Sequence, residues 1–442
     1  MSKLKIIHRK AAGIDIGSEK FFVSVDGHQV ESFDTFTSSI SLLIAYLSAH
    51  KIETVAIEAT GVLWLPLYDA LERSGFEVYL VNGAHARNIP AQKSDPADCR
   101  WLQRLHSYGL FRASFVPKGS IRQLRTFMRF REDCLEISSS HILHMQRALE
   151  LMNIKLKNVI SQIHGTSGIK IIEAILAGER NPDSLLKLCH GSIRRKKREQ
   201  VLQSMEGNFQ SEYLFLLQKA YDGWLFYQMQ IEECESKIEE VLKELTANLP
   251  TPKPTPASPG RHHPVGIANI HDMMVQLTRG RDATVLPGIS DTTVLKLISE
   301  LGTDLSRWPT DKHFTSYLGL SPKKCESGKR KRSKRNVAKT KAGQIFRESA
   351  MSIANSKHLA LKGFYHRLKS RSGPRIAMKA TARKLAVLYY RFMTKAMDYV
   401  ENGLKNYEDR FKLIMIKSIE KKAKDLGISI VVDNQTFTSI VH

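Results

Sequence analysis

Residues 11–36 read AAGIDIGSEKFFVSVDGHQVESFDTF, and this stretch decides the fold of the first part of the chain. Its opening is a short apolar run that ends at Asp15, which predicts a buried strand. Two further strands follow, joined at Asp26-Gly27, a dipeptide typical of hairpin turns. The stretch therefore predicts three consecutive strands.

The pattern after this stretch alternates between helix and strand up to residue 112. The alternating segments are SISLLIAYLSAHKI (39–52), TVAIEAT (54–60), WLPLYDALERSGF (64–76), EVYLVN (77–82) and DPADCRWLQRLHSYGL (95–110). In the last of these, Asp95 is a candidate helix cap and Pro96 suits the first helical position. This order predicts an α/β domain with a ribonuclease-H-like mixed sheet over residues 1–112.

Residues 113–248 are predicted to be mostly helical. Apolar residues recur there in steps of three and four, as in a coiled-coil seam: Leu217, Ala220, Trp224, Tyr227, Ile231, Cys234, Ile238, Val241 and Leu245. A long helix packed within one subunit has the same pattern, so both alternatives stay open. Arg194–Arg198 form a basic run that is either a solvated face or a phosphate-binding surface.

A Pro-rich segment separates the helical region from a second compact unit. LPTPKPTPASPGRHHP opens a predicted linker over residues 249–283, and a unit over 284–400 and a tail over 401–442 follow. Within the unit, TVLPGISDTTVLKLISELG (284–302) has the form of a helix-hairpin-helix element. Gly288 would free its turn for phosphate contact, although an ordinary helical turn has the same pattern.

The charge balance indicates a polyanionic partner. The chain has 67 Lys and Arg against 44 Asp and Glu, a net charge of +23. Nucleic acid is the leading interpretation, and a ribosome-associated factor is the alternative that charge does not exclude. The sequence has no apolar stretch long enough to suggest a membrane span, and no signal peptide is visible. A cytoplasmic location is therefore expected. The five cysteines form no CxxC pair, which argues against a zinc ribbon or a disulfide framework.

Four acids stand where a metal site on such a sheet needs them. Asp15 and Glu58 each end a strand, and Asp95 and Asp98 share one helix face. Carboxylates so arranged can hold two Mg²⁺ ions, with Mn²⁺ as a substitute, and activate phosphodiester chemistry. Taken singly, each acid also has a structural explanation as a cap, turn residue or ion-pair partner.

Two other classes of protein fit the first strand less well. GIDIGSEKFFVSVD also resembles the first phosphate loop of actin-like kinases, but the Asp-x-Gly-Gly loop of that class is missing. A proofreading exonuclease needs Asp-x-Glu, and the chain has Asp15-Ile16-Gly17.

A basic segment surrounds a serine in the second unit. Residues 321–341 read SPKKCESGKRKRSKRNVAKTK, and cations around Ser327 would attract a phosphate and stabilise a charged transition state. By composition alone, a basic DNA-holding loop with an incidental serine is favoured, and Ser333 is chemically equivalent. The predicted nucleic-acid contacts, besides Gly288, are Lys323, Lys324, Lys329, Arg330, Lys331, Arg332, Lys334 and Arg335.

Together these motifs resemble one family. GIDIG with Asp15, IEATG with Glu58 and KSDPADCRWL with Asp95 and Asp98 resemble the DEDD transposases of the insertion-sequence "one-ten" family. LPGISDTTVLKLISELGTDLSRWPTDKHFTSYLGLSPKKCESGK resembles that family's C-terminal transposase domain. The resemblance covers roughly residues 11–400. Lys329 and Arg330 depart from the more Gly-rich stretch of the family.

The resemblance implies a RuvC-like domain, a coiled-coil dimerisation segment and a mostly helical C-terminal domain with a serine nucleophile. It implies that Asp15, Glu58, Asp95 and Asp98 bind Mg²⁺ and that Ser327, in CESG, becomes linked to DNA. It also implies a guide (bridge) non-coding RNA, donor and target DNA, and a homo-oligomer from dimer to tetramer. A nucleoid-associated bacterial or archaeal protein is expected.

Three hypotheses follow. The first is an RNA-guided, Mg²⁺-dependent transposase or recombinase that excises and inserts a mobile element. The second is a RuvC-like Holliday-junction nuclease that uses water, with Ser327 structural. The third is a non-catalytic nucleic-acid-binding protein with the same fold.

Overall fold

The computed structural model describes residues 5–59, 61–81, 95–111, 113–253, 264–322, 326–327, 330–331, 340–356, 359–395 and 397–427. The chain divides into two compact units, Met1–Val116 and Pro117–His442.

The first unit is built on a five-stranded sheet with the order β3-β2-β1-β4-β5. β1, β2 and β3 are antiparallel neighbours, whereas β1, β4 and β5 run parallel. The strands are β1 (Ala11–Ile16), β2 (Lys20–Ser24), β3 (Glu31–Asp34), β4 (Thr54–Glu58) and β5 (Glu77–Val81), and the helices are α1 (Thr37–Ala49), α2 (Trp64–Arg73) and α3 (Asp95–Ser107).

The sheet buries both faces. On one face Ile14 and Ile57 pack with Leu43 of α1 and Leu67 of α2 in a single apolar core. On the other face lies α3, which buries side chains at helical spacing against the sheet: Cys99, Leu102, Gln103 and His106. Burial on both sides explains the near-continuous apolar runs of β1 and β4.

The predicted α/β organisation of this part is confirmed. The turn between β2 and β3 is longer than a two-residue hairpin, because the strands end at Ser24 and resume at Glu31. Asp26 stabilises the turn, since its carboxylate accepts the backbone N–H groups of His28 and Gln29, each at 2.8 Å.

The second unit is mostly helical, as predicted. Its helices are α4 (Gly119–Leu151), α5 (Leu156–Val159), α6 (Thr166–Leu176), α7 (Pro182–Lys187), α8 (Gly191–Lys196), α9 (Arg198–Ser204), α10 (Ser211–Thr246), α11 (Ile270–Leu277), α12 (Asp291–Leu301), α13 (Asp311–Tyr317), α14 (Lys341–Ala354), α15 (Leu359–Ser372), α16 (Pro374–Thr394) and α17 (Met397–Asp425). A 3-10 turn, Ala283–Val285, precedes α12. A two-stranded ribbon, β6 (Glu326–Ser327) with β7 (Arg330–Lys331), lies between α13 and α14.

Helices α4 and α10 form a long antiparallel hairpin. The Cys234 thiol donates to the carbonyl of Phe127 at 3.2 Å, and Gln228 donates to Ser138 at 2.9 Å, so sequence rises along one helix as it falls along the other. The apolar seam predicted on α10 is therefore covered by α4 of the same chain. Of the two alternatives, the packed intrachain helix accounts for the seam.

The chain returns from the Pro-rich segment onto this hairpin. Arg131, buried on α4, donates to a carboxylate oxygen of Glu235 on α10 at 2.7 Å and to the carbonyl of Pro264 at 3.1 Å. Glu235 in turn accepts the N–H of Gly266 at 2.8 Å. The segment that was predicted as linker up to residue 283 contains helix α11, and the predicted tail contains α17. No helix in the described part of the chain is both long and apolar enough to span a bilayer.

Candidate active site

Asp15 and Glu58 are neighbours at the carboxyl ends of two parallel strands. The β1–β4 ladder pairs Ala11 with Thr54 and continues to Ile14 with Ile57. Asp15 and Glu58 are the next residues on each strand. Both side chains are half-buried, and both interact with other groups. Parallel strand ends meet at one edge of a sheet, so the two carboxylates lie on the same edge.

The two carboxylates also point to the same face. Successive strand residues alternate between faces, and Ile14 and Ile57 belong to the core with α1 and α2. Asp15 and Glu58 therefore face α3. The side chain of His106 on α3 confirms the assignment for β4, because its Nε2 lies 2.9 Å from Oγ1 of Thr54.

Gly13 allows α3 to lie directly on β1. A Cβ at residue 13 would stand 2.3 Å from the backbone N of Gln103 and 2.6 Å from the carbonyl oxygen of Cys99. No side chain fits into that space. The glycine of GIDIG thus has a packing role on the face that carries Asp15.

Helix α3 runs antiparallel to β1, and this direction brings its first turn to the carboxylates. Gln103 donates to the carbonyl of Ala11 at 3.1 Å, and Cys99 lies by Gly13. Asp98 directly precedes Cys99 on α3 and Asp95 lies about one turn before Cys99, so both acids belong to the end of α3 that extends toward Asp15. Asp98 is half-buried, and the side chain of Asp95 lies outside the described residues.

The pKa of the Cys99 thiol shows the influence of two of these acids. Burial raises its pKa to about 12, and the negative charges of Asp15 and Asp98 contribute in the same direction. One thiol on the sheet-facing side of α3 thus lies within electrostatic reach of an acid from β1 and an acid from the first turn of α3.

The donor atoms at this edge suit a hard divalent cation. Carboxylate oxygens are the preferred ligands of Mg²⁺ and Mn²⁺. Among the described side chains, which exclude that of Asp95, no three His, Cys, Asp or Glu residues approach closely enough to form a metal site. The residues present fit the chemistry of such an ion, because Asp15 and Glu58 end neighbouring parallel strands at one edge of the sheet.

Ser327 lies on the short ribbon of the second unit. β6 and β7 are antiparallel, with Ser327 opposite Arg330 and Glu326 opposite Lys331. The side chains of these four residues lie outside the described part. So do six of the predicted nucleic-acid contacts: Lys323, Lys324, Lys329, Arg332, Lys334 and Arg335.

An ion-pair cluster holds the helix that follows the ribbon. Thr340 caps α14 by accepting the N–H of Gly343 at 3.0 Å. The next residue, Lys341, lies 3.3 Å from Glu132 of α4, and Lys296 of α12 lies 3.0 Å from the same carboxylate. Burial acts to raise the pKa of Glu132, but the two lysines outweigh it and the pKa falls below its usual value.

A second carboxylate reinforces the junction of α4 and α12. Arg129 donates to both oxygens of Glu300, at 2.8 and 3.0 Å, and Arg125 lies 3.5 Å from the same group. These pairs border a cavity of about 510 Å³ between α4, α12 and α14. Sequence reasoning missed Glu132 and Glu300, because their partners lie more than 150 residues away and no local motif marks them.

The structure explains why residue 288 is a glycine. Its φ is +72°, which disfavours other residues. A Cβ there would also stand 2.9 Å from the carbonyl oxygen of Ser349 on α14. Conformation and packing both require glycine, and phosphate contact at this turn stays a prediction.

Comparison with known families gives two matches, in the same order as the two candidate centres. Residues 12–154 match the DEDD family model of IS110 elements, described as "Transposase". Residues 283–366 match the model described as "Transposase IS116/IS110/IS902 family". The first match spans Asp15, Glu58, Asp95 and Asp98, the second spans Ser327, and together they cover just over half of the chain. No curated protein matches the chain. The chain therefore belongs to the IS110 family of DNA transposases.

Proposed function

We propose that this transposase cuts and rejoins DNA with two centres, a Mg²⁺-binding carboxylate site in the first unit and a covalent serine nucleophile, Ser327, in the second. The order β3-β2-β1-β4-β5 supports a ribonuclease-H-like first unit, because three antiparallel strands are extended there by two parallel ones. The position of α3 across β1 and β4 agrees with that fold.

The observation that carries the carboxylate centre is the strand register. Asp15 and Glu58 follow directly on the pair Ile14–Ile57 and share the face that α3 covers. A half-buried carboxylate costs free energy unless a cation or donor compensates it. Several acids at one sheet edge therefore favour a cation-binding role over separate structural roles.

Asp15, Glu58, Asp95 and Asp98 would hold Mg²⁺, or Mn²⁺ in its place. When bound, such ions polarise a phosphodiester and stabilise charge on the attacking and leaving oxygens. The protein's own part is to fix the geometry. The sheet register sets the relative positions of Asp15 and Glu58, and the contact of α3 with Gly13 holds the helix that carries Asp98 against the same face of the sheet.

Ser327 would supply the covalent step. Its hydroxyl oxygen attacks phosphorus, an Oγ–P bond forms, and the P–O bond to the departing sugar breaks. The serine proton is released and the departing oxygen takes one up. A hydroxyl of the strand to be joined then attacks the phosphoserine, and Oγ leaves and is protonated again. The number of phosphate ester bonds is conserved, so joining needs no ATP.

We extend the proposal to the partners that the family resemblance implies. These are donor and target DNA, a guide non-coding RNA and a homo-oligomer. The net charge of +23 supports a nucleic-acid partner. On α10, Phe215, Phe226 and Met229 fall on one helical line and are about half exposed. Exposed apolar residues in a line support contact with a second copy. Co-purification of a discrete RNA, and its loss on nuclease treatment, tests the guide.

A covalent adduct is the decisive measurement. The full-length protein is incubated with radiolabelled element-end DNA, the RNA transcribed from the flanking segment, and Mg²⁺, and then resolved on a denaturing gel. A protein–DNA adduct is expected, and it is expected to disappear in Ser327→Ala but persist in the matched control Ser333→Ala. EDTA is expected to abolish it.

Other outcomes favour the competing hypotheses. Cleavage that survives Ser327→Ala but not Asp15→Asn indicates a nuclease that uses water. An intact substrate with every metal, RNA and protein combination indicates a nucleic-acid-binding protein without catalysis.

A further inference from the structure

The tip of the α4–α10 hairpin is a small helical subdomain with its own core. Helices α5 to α9 lie between the two long helices, and Ile171, Leu185 and Val201 pack there against Met145 of α4 and Leu217 of α10. We name residues 155–206 the tip subdomain. The two family matches leave it out, since they end at residue 154 and resume at 283. Neither family match therefore covers it.

A run of five cations covers one part of the tip subdomain. Arg194, Arg195 and Lys196 end α8, Lys197 stands at the break between the helices, and Arg198 begins α9. All five residues are exposed. Lys197 donates to the carbonyl of Val159 at 3.2 Å, which places the run beside α5. We name this run the tip patch.

The acids of the subdomain do not neutralise the patch. Residues 155–206 contain ten Lys and Arg but five Asp and Glu, an excess of five positive charges. Glu173 accepts the hydroxyl of Tyr221, and Glu179 accepts the backbone N–H groups of Arg180 and Asn181. Asp183 lies 3.2 Å from Arg198 in an exposed pair. Among the described residues, no carboxylate forms an ion pair with Arg194, Arg195 or Lys196.

The stability of the short helices α8 and α9 explains only part of this run of five cations. Cations in the last turn of α8 suit the negative end of its helix dipole. The charge of Arg198 is unfavourably placed with respect to the helix dipole, because Arg198 is the first residue of α9, where the dipole favours acids. Five adjacent like charges also repel one another. The folded chain thus keeps an unfavourable charge arrangement that a polyanion would relieve.

The core of the tip subdomain is remote from the ion-pair cluster around Glu132. Glu132 and Ala148 are separated by 16 positions on α4, about 24 Å at 1.5 Å per residue. Glu132 holds the start of α14, whereas Ala148 belongs to the core of the tip. Substitutions in the patch therefore leave the ion pairs of Glu132 in place.

We propose that the tip patch binds the phosphodiester backbone of a nucleic acid, as an anchoring surface made of residues other than those of the two candidate catalytic centres. Arg194, Arg195 and Lys196 would contact successive phosphates, with no base readout. Duplex DNA and single-stranded RNA share this backbone chemistry. The proposal does not rest on the serine step or on RNA guidance.

The test is salt-dependent binding by the full-length protein. Fluorescence anisotropy is measured with a 30-base-pair duplex of arbitrary sequence and with a 30-nucleotide RNA, at several NaCl concentrations. The variant is Arg194→Gln/Arg195→Gln/Lys196→Gln. The matched control is Lys219→Gln/Lys237→Gln/Lys243→Gln, which removes the same charge from exposed lysines of α10 that pair with neighbouring acids.

Each phosphate contact contributes about 0.9 to the slope of log affinity against log salt for duplex DNA, and about 0.7 for a single strand. We expect the patch variant to lose about two to three units of slope and roughly 10- to 100-fold in affinity at 0.15 M salt. A loss with only the duplex assigns the surface to DNA, and a loss with only the RNA assigns it to RNA. Equal affinity and slope for the patch and control variants, with both probes, overturns the proposal.

Discussion

Backbone pairing brings Asp15 and Glu58 together in the first unit, whereas side-chain ion pairs hold helices α4, α12 and α14 together in the second. The ladder between β1 and β4 would keep its register if either carboxylate were replaced, because the pairing uses main-chain groups. Glu132 of α4 pairs with a lysine of α12 and a lysine of α14, and Glu300 of α12 pairs with Arg129 of α4. The first unit should therefore lose chemistry without losing its fold, while the second should lose stability when one charge is removed.

The largest expected effect concerns the carboxylates. Asp15→Asn and Glu58→Gln should each lower the rate of adduct formation by roughly 10³-fold or more, because an amide cannot replace the charge that holds the cation. Single-turnover gel assays measure the rate. The hydrogen exchange of β1 and β4 should stay close to that of the parent chain. Faster exchange throughout the sheet would show that these acids serve the fold instead.

The buried pair Arg131–Glu235 should give the next effect. Glu235→Gln leaves the buried guanidinium without its counter-charge, and we expect the free energy of unfolding of the second unit to fall by about 3–4 kcal/mol. Hydrogen exchange of α4 and α10 peptides measures it. The control is Glu240→Gln, which breaks an exposed pair with Lys237 and should change little. Similar effects of the two substitutions would contradict the burial argument.

Gly13→Ala should destabilise the first unit by about 3 kcal/mol, since the added Cβ would stand 2.3 Å from the backbone of α3 and the helix must move. The same shift should slow adduct formation, because α3 carries Asp98. Urea titration followed by hydrogen exchange of the sheet peptides gives the stability. Gly191→Ala is the matched control, because the nearest atom to its Cβ is an arginine end 4.0 Å away. A Gly13→Ala protein as stable as the control would show that α3 does not rest on β1.

The smallest effect is a dependence of stability on pH. Burial lowers the pKa of His106 to about 4, and the neighbouring His8 adds to the effect. Between about pH 6.5 and 4, only the unfolded chain takes up this proton, so stability falls as pH falls. From pH 7 to pH 5 we expect a loss of about 2 kcal/mol in the first unit.

His106→Gln should remove most of that pH dependence, since the amide can still reach Thr54 but does not titrate. The exposed His28→Gln serves as the control. Urea unfolding of the first unit at pH 7, 6 and 5 measures the slope. An unchanged slope in His106→Gln would assign the acid sensitivity to other groups.

The sequence predicts the structure best where the relevant signal is local. Alternation and apolar runs predicted the strands and helices of the first unit, because a sheet buried on both faces demands such runs. Asp15 and Glu58 were identified because they interrupt buried strands. The ends of β2 and β3 differ from the predicted hairpin, since the turn at Asp26 depends on side-chain hydrogen bonds to the backbone.

The partner of α10 could not be read from its sequence. The apolar seam along Ile231 and Ile238 predicts only that one side of the helix is covered. In the structure, α4 of the same chain covers it. The sequence places helix α11 in the predicted linker, because eight residues give a weak periodic signal next to a Pro-rich segment.

By itself, the sequence determined the family, the positive charge, the order of elements and the acids that end the strands, because each depends on neighbouring residues along the chain. Only the tertiary structure decided which face Asp15 and Glu58 share, why Gly13 has no side chain, and which lysines Glu132 joins. Those facts depend on contacts between residues that are 43 to 209 positions apart, and such contacts leave no local pattern.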